Sequence, residues 1–206
     1  CAELSKTETL GRLSIASTAN GIVFVGSNVA MHALLPDAIP VSLDNNEPVS
    51  DKTFAARATL LKAASQLSIY ASELELTDSA MSKRSQIRPF SAAVSSKSAV
   101  LDTLPVDFAR IATFSNVSPL KLAVWKILRS IPHGSVWDYS KVAARIDKPK
   151  AVRAVAKAIG SNIVPLVVPC HRVIGRDGKM RGFSFPGGIT VKRKLLKMET
   201  GKLFIK

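Results

Sequence analysis

Acidic side chains almost disappear from the second part of this chain: residues 119–206 hold four Asp and Glu against 19 Lys and Arg, a net of +15, whereas residues 1–118 hold 11 against 10. All of the +14 excess therefore lies on the C-terminal side. One reading is a solvated, solubility-conferring surface; the other, which so sharp an asymmetry favours, is a face for a polyanion. Cysteine is as scarce, with only Cys1 and Cys170, which excludes a disulfide framework and suits a reducing, intracellular setting. Cys1 is assigned no role. Cys1, His32 and His133 have no metal-ligand spacing, so no metal is expected. Long apolar runs are missing too, and no charged-then-apolar leader is present. The expectation is an intracellular protein, nuclear in a eukaryote and cytoplasmic otherwise, with no membrane partner. No exposed apolar stripe is evident, and a monomer is expected. There is no internal repeat.

What is present suffices for a real core: 206 residues, 47% of them hydrophobic, make one large domain or two small ones. Leu13 and Ile15, then Ile22 and Phe24, alternate with small or polar residues on either side of Asn20-Gly21, which predicts an opening hairpin. Residues 36–50, with three prolines, read as loop. Phe54, Leu60, Leu61, Ala64 and Leu67 follow Asp51 near helical spacing and predict a helix to about Tyr70. Residues 77–98 are Ser-rich and read as a linker or mobile loop, and a strand is expected at 106–111. The expected fold is α+β: a small N-terminal α/β domain with an antiparallel sheet, residues 1–115, and a mostly helical C-terminal domain, residues 116–206.

In that second domain Ser118-Pro119 is a cap with proline at the first helical position. Leu120, Ala123, Val124, Ile127, Leu128 and Ile131 then keep one helical face. Short helices over 139–146 and 151–159 flank a turn at 147–150 and predict a helix-turn-helix. The second is poor in bulk. Ala154 and Ala156 cannot read base edges by hydrogen bond, but they would let a helix enter a narrow groove with Arg153 as the one long cation at its centre. The alternative is a helix of core alanines with a solvated Arg153. Asp177-Gly178 marks a hairpin, 181–188 a loop, and 190–199 a last helix.

The chain converges on residues 162–173. An apolar run from Val164 to Val168 suits a buried strand, and Pro169 would turn the backbone out of the sheet to deliver Cys170 with His171 and Arg172 beside it. A lone cysteine is by default a small buried hydrophobe. Two cationic or proton-carrying neighbours instead point to an activated nucleophile. Glu199 falls at i+4 from Leu195 and i+3 from Leu196, on an apolar helix face where an unpaired carboxylate would be costly. It needs a partner, and His171 is the candidate.

Val-Pro-Cys-His-Arg-Val around Cys170, Arg153 in Ala-Val-Arg-Ala-Val, Asn162, Tyr139 and Glu199 at the end of Leu-Leu-Lys-Met-Glu together resemble the O6-alkylguanine-DNA alkyltransferase family over residues 119–202. Residues 10–115 fit that family's variable N-terminal domain only in outline. The resemblance implies irreversible, stoichiometric transfer of an alkyl group from O6 of guanine, or O4 of thymine, in double-stranded DNA to Cys170, with no cofactor. It assigns His171 as a base acting through a water, Glu199 as the group polarising His171, and Asn162 as the fixer of the active-site turn. The resemblance has the protein bind double-stranded DNA through the minor groove. A buried thiol cannot reach O6 in place within the duplex, so the base must flip out. The resemblance gives this work to Tyr139, which rotates the phosphate, and Arg153, which fills the gap, with Ala154 on the same DNA-facing helix. Backbone groups of Val173 and Ser184 and the ring of Phe183 would hold the flipped base.

Four departures stand out. Asp138 precedes Tyr139 where the family has Ser, Ile163 follows Asn162 where Pro is usual, and Phe183 replaces Tyr. Loop 181–188 carries two extra residues around Phe185-Pro186 and opens on Arg181 in place of a small residue. Competing readings are a protein that binds alkylated DNA without repairing it, an ordinary helix-turn-helix regulator, and a cysteine hydrolase. Cys170 argues against the first, the alanine-rich helix against the second, and the lack of an oxyanion motif against the third.

Overall fold

In the computed structural model, residues 2–3, 14–18, 20–26, 51–82, 99–114, 116–202 and 204 are described. Strands β1 (Ala2–Glu3), β2 (Ser14–Thr18) and β3 (Gly21–Gly26) form an antiparallel sheet in that order. The hairpin at Asn20-Gly21 is where alternation placed it. Gly21 has φ +149°, and a Cβ there would lie 2.8 Å from the Pro105 backbone, so glycine is required by a close approach as well as by the turn. A bulge between Ala16 and Ser17 shifts the register from Ala16 opposite Phe24 to Ser17 opposite Ile22. Ile22, Val23, Phe24 and Val25 are all buried, because β3 is covered on both faces.

Helix α1 (Asp51–Ser82) packs across β2 and β3 and runs well past the expected end near Tyr70. Its buried side chains Leu60, Ala63, Ala64, Leu67, Tyr70, Ala71 and Leu74 keep helical spacing without a break, and no proline or glycine stops it. The first residues of the Ser-rich segment, 77–82, are therefore helical; 83–98, Leu13, and the loop over 36–50 lie outside the described residues.

The strand expected at 106–111 is replaced by a single bridge, Val106 to Ile22, followed by the short helix α2 (Phe108–Ile111). Asp107 is the reason. Its Oδ1 accepts from the Arg110 backbone N–H at 2.9 Å and starts a helix at once. Its Oδ2 takes the Thr18 hydroxyl, tying this junction to β2.

The C-terminal part opens with α3 (Pro119–Leu128), capped by Ser118, whose hydroxyl accepts from the Lys121 N–H. Val124, Trp125, Leu128 and Ile131 are its buried face, and the Trp125 indole N–H donates to the Ala158 carbonyl at 2.8 Å. Two short helices, α4 (Tyr139–Arg145) and α5 (Val152–Gly160), pack on α3 and on each other across a turn in which Asp147 has φ +56°. A parallel pair, β4 (Trp137–Asp138) and β5 (Val173–Ile174), joins the start of α4 to the end of the cysteine segment. The expected turn at Asp177-Gly178 forms, with Gly178 at φ +75°, yet the residues after it do not return as a strand. Helix α6 (Gly188–Thr200) closes the fold against α1 and the cysteine segment. No helix among the described residues is long and apolar enough to cross a membrane.

Candidate active site

The apolar run before the cysteine is a buried tight turn, not a strand. Val168 donates to the Val164 carbonyl at 2.8 Å, and Leu166 sits at φ +70°, a left-handed conformation that a bulky residue adopts only when held there. Asn162 does much of the holding. Its Oδ1 accepts from the Val164 N–H at 3.0 Å and its Nδ2 donates to the Val168 carbonyl at 2.9 Å, so one amide replaces the ladder partners that a strand would have supplied. Arg129 Nη1 holds the Val167 carbonyl at 2.6 Å from the other side, and Val25 of β3 donates to the Ile163 carbonyl at 2.9 Å. Hydrophobicity alone does not reveal these polar clamps.

The turn delivers Cys170 at the start of a single 3-10 turn, Cys170–Arg172. The second Asn162 Nδ2 hydrogen reaches Cys170 Sγ at 3.2 Å. Burial pushes the thiol above its ordinary value, although the Asn162 hydrogen bond and the charge of Lys192 act in the opposite direction. The resting group is thus a thiol that must lose its proton to a base. The expectation that Arg172 activates it is not met: the guanidinium turns away and binds Glu199 and Asp102.

His171 is fully buried, and its Nε2 lies 2.9 Å from Glu199 Oε1. Burial alone would raise the Glu199 carboxyl, but His171 and Arg172 hold it well below the usual carboxylate range. The carboxylate accepts, so Nε2 carries a hydrogen, and in the neutral imidazole the lone pair is on Nδ1. That nitrogen is buried and has no hydrogen-bond partner among the described residues, so it is the ring atom placed to take up a proton. Glu199 is thus on the expected apolar face with the expected partner, and it has more: Arg172 Nε to Oε2 at 2.7 Å, Arg172 Nη2 to Oε1 at 3.1 Å, and the Tyr70 hydroxyl to Oε1 at 2.9 Å.

A cleft above the thiol is lined by Cys170, Tyr139, Phe183 and Ser184 from the expected set, and by Ala156, Phe185 and Lys192, which sequence reasoning had not assigned to it. Asp138, the departure next to Tyr139, caps α4, its Oδ1 accepting from the Lys141 N–H at 2.9 Å; Asp does here the work a Ser would do. Phe185, one of the extra loop residues, is buried and stacks on Phe183 at 5.7 Å, while the Ser184 hydroxyl donates to the Gly160 carbonyl at 2.6 Å and fastens the loop to α5. Val173 is fully buried and is not among the residues that line the cleft, and its carbonyl accepts from Lys192 Nζ at 2.6 Å. Arg153 and Ala154 are exposed on α5 and are not among the residues that line the cleft. Ala154 is therefore no core alanine.

Lys192 is a residue the sequence could have shown: it falls at i−3, i−4 and i−7 from Leu195, Leu196 and Glu199, on the same apolar face. It is 1% exposed, and burial draws its ammonium down from 10.5 to about 8. Between those two values the unfolded chain binds the proton and the folded chain does not, so stability rises with pH across the window and is lost as pH falls through about 8. Urea unfolding of Lys192→Met alongside the parent is expected to show this rise, about 2–3 kcal/mol, flattened in the variant.

Residues 119–201 match the family model described as "6-O-methylguanine DNA methyltransferase, DNA binding domain". Over 190 residues the chain is 35% identical to the inducible methylated-DNA-protein-cysteine methyltransferase of Bacillus subtilis, covering 90% of this chain and 82% of that one. It is 45% identical over 100 residues to the methylated-DNA-protein-cysteine methyltransferase of Shigella flexneri, covering 48% of this chain and 53% of its relative, so it spans about half the length of that protein. The crystal structure of Mycobacterium tuberculosis OGT in complex with DNA covers 98% of this chain and 94% of that chain with a TM-score of 0.56 at 24% identity, a likeness of fold.

Proposed function

Because this chain belongs to the methylated-DNA-protein-cysteine methyltransferase family, we propose that it repairs DNA by direct reversal, moving a methyl or larger alkyl group from O6 of guanine, and from O4 of thymine, irreversibly to Cys170. The observation that carries this reading is one connected arrangement: a thiol in a cleft, held by Asn162, followed in sequence by a histidine whose far nitrogen is fixed on a buried carboxylate. The thiol proton passes through a water to His171 Nδ1. Cys170 sulfur then attacks the alkyl carbon, the S–C bond forms, and the C–O6 bond breaks with its electron pair leaving on the guanine. Glu199 steadies the imidazolium that results. The site needs no cofactor, and the protein is consumed in one turnover.

Double-stranded DNA would enter along α4 and α5, which we read as a helix-turn-helix lying in the minor groove. Exposed Arg153 can occupy the space of a flipped base, and Ala154 permits the close approach. Tyr139, at the first turn of α4 and on the cleft wall, can crowd the phosphate while contributing a ring edge to the site. Phe183 and the backbone of Val173 and Ser184 would hold the extruded base. The cationic excess of residues 119–206 supports sequence-independent phosphate contact, for which affinity falls by about the 0.9 power of salt per phosphate neutralised.

The test is intact mass after incubation with duplex DNA carrying O6-methylguanine. One methyl, limited to one equivalent and mapped to the Cys170 peptide, is expected. Unchanged mass with tight lesion binding would replace this reading by a damage-binding protein. Arg153→Ala is expected to slow repair of duplex DNA by about 10-fold or more, as a few kcal/mol of unstacking lose their compensation, while leaving reaction with the free modified base intact. Equal rates on duplex would remove the flipping role.

A further inference from the structure

We propose that Tyr70 of helix α1, a residue outside the cysteine segment and its helix, is a positioning residue for the reaction: its hydroxyl donates to the same Glu199 oxygen that His171 uses and thereby sets how firmly Glu199 holds the His171 proton. This rests on the alkyl-transfer reading above. The two residues are 129 positions apart, and both are buried. Tyr70 is 1% exposed and Glu199 3%.

The placement on Oε1 is the informative feature. Among the described residues Oε2 takes Arg172 Nε, whereas Oε1 takes three donors: Tyr70 at 2.9 Å, His171 Nε2 at 2.9 Å and Arg172 Nη2 at 3.1 Å. A phenylalanine would fill the same buried position on the helix face that carries Leu67 and Leu74. The hydroxyl adds a donor in direct competition with the imidazole for one oxygen, and each donor to a carboxylate draws charge density from the others. With Tyr70 in place Glu199 is a weaker partner for His171, and the proton that His171 takes from the thiol is held less tightly on the pair.

Other ionisable groups face Glu199, and it is His171 and Arg172 that hold it charged. Arg172 comes from the cysteine turn, Asp102 from the 3-10 helix Ala99–Thr103 through Arg172 Nη1 at 2.9 Å, and His133 from the loop after α3. The Tyr70 hydroxyl itself is pushed well above its ordinary value, first by burial and then by the Glu199 charge, so it stays a donor throughout the working pH range.

The experiment is the pH profile of methyl transfer by full-length Tyr70→Phe, read beside duplex affinity. Without the hydroxyl, Glu199 binds the imidazolium more strongly, and neutral His171, the form able to accept the thiol proton, persists only at higher pH. The acid limb, a property of the coupled His171–Glu199 pair, is expected to move up by about one pH unit, a rate loss of about tenfold on that limb, with duplex affinity unchanged. Placing 3-fluorotyrosine at position 70 keeps the ring and strengthens the donor, so the limb moves down, and this arm stands even if Tyr70→Phe fails to fold. A residue that only packs would move neither limb, and two unmoved limbs overturn the proposal. If the parent transfers no methyl at any pH, the function fails instead; the NMR signal of the His171 Nε2 proton then decides on Tyr70 alone, moving downfield in Tyr70→Phe if the proposal holds and staying in place if it does not.

Discussion

Exchange of Arg172 for methionine is expected to destabilise the protein by about 3–5 kcal/mol, the range found when one member of a buried ion pair is removed. Arg172 is 1% exposed and donates to both Glu199 oxygens, to Asp102 Oδ2 and to the Ile131 carbonyl. Methionine fills much of the volume and satisfies none of these. Among the described residues Glu199 would keep His171 and Tyr70 as donors, and Asp102 would lose its ion pair with Arg172. A loss of that size is a large part of the 5–15 kcal/mol that holds a typical domain together. The check is the urea midpoint of parent and variant at neutral pH, and its pH dependence gives the mechanism away. In the parent the Glu199 carboxyl is held below its ordinary 4.5, so its contribution is present above that value and is lost as pH falls through the depressed one. The stability gap between parent and Arg172→Met should therefore narrow on acidification below about pH 4.5. Arg172→Met/Glu199→Gln should recover part of the loss, since it removes the stranded charge. A gap independent of pH would place the cost in packing instead.

The second large effect is chemical. Cys170→Ala is expected to abolish methyl transfer outright, because no other thiol occurs among the described residues and the reaction ends on this sulfur. Intact mass should stay unchanged at any excess of lesion DNA, and lesion binding in a gel-shift assay should remain within about threefold of the parent, since duplex contact is made by other groups. The turn should survive as well. Asn162 Nδ2 loses Sγ as an acceptor but keeps the Val168 carbonyl, and Oδ1 keeps the Val164 N–H. Residual methylation of the variant would mean that a second acceptor exists and that Cys170 has been misassigned.

Where one element's own periodicity decided its structure, the sequence was a sufficient guide. The hairpin at Asn20-Gly21, helix α3 after Ser118-Pro119 and helix α6 with Glu199 on its apolar side were all legible. Long-range polar contacts were not. The run from Val164 to Val168 has a strand's composition, and it folds as a turn because Asn162 and Arg129 occupy its backbone groups, a fact carried by residues outside the run. Arg172 was read as an activator of the thiol because it is adjacent in sequence; its partners are 27 and 70 positions away. Tyr70 looked like the last residue of a packing helix. Lys192 was hidden in a cationic Lys-Arg-Lys stretch, where only its helical phase separates it from two neighbours that reach solvent.

Arg129 carries a consequence for how this molecule can be divided. Its guanidinium faces four carbonyls, those of Leu101, Asp102 and Leu104 on one side of the junction and Val167 on the other. A cut between residues 115 and 116 would strip this cation of three acceptors, Arg172 of Asp102, and Glu199 of the Tyr70 hydroxyl in a single stroke. The cationic half is thus not a transplantable cassette. Its reactive machinery is borrowed in part from the nearly neutral half, so the two are expected to be separable only at the cost of that machinery.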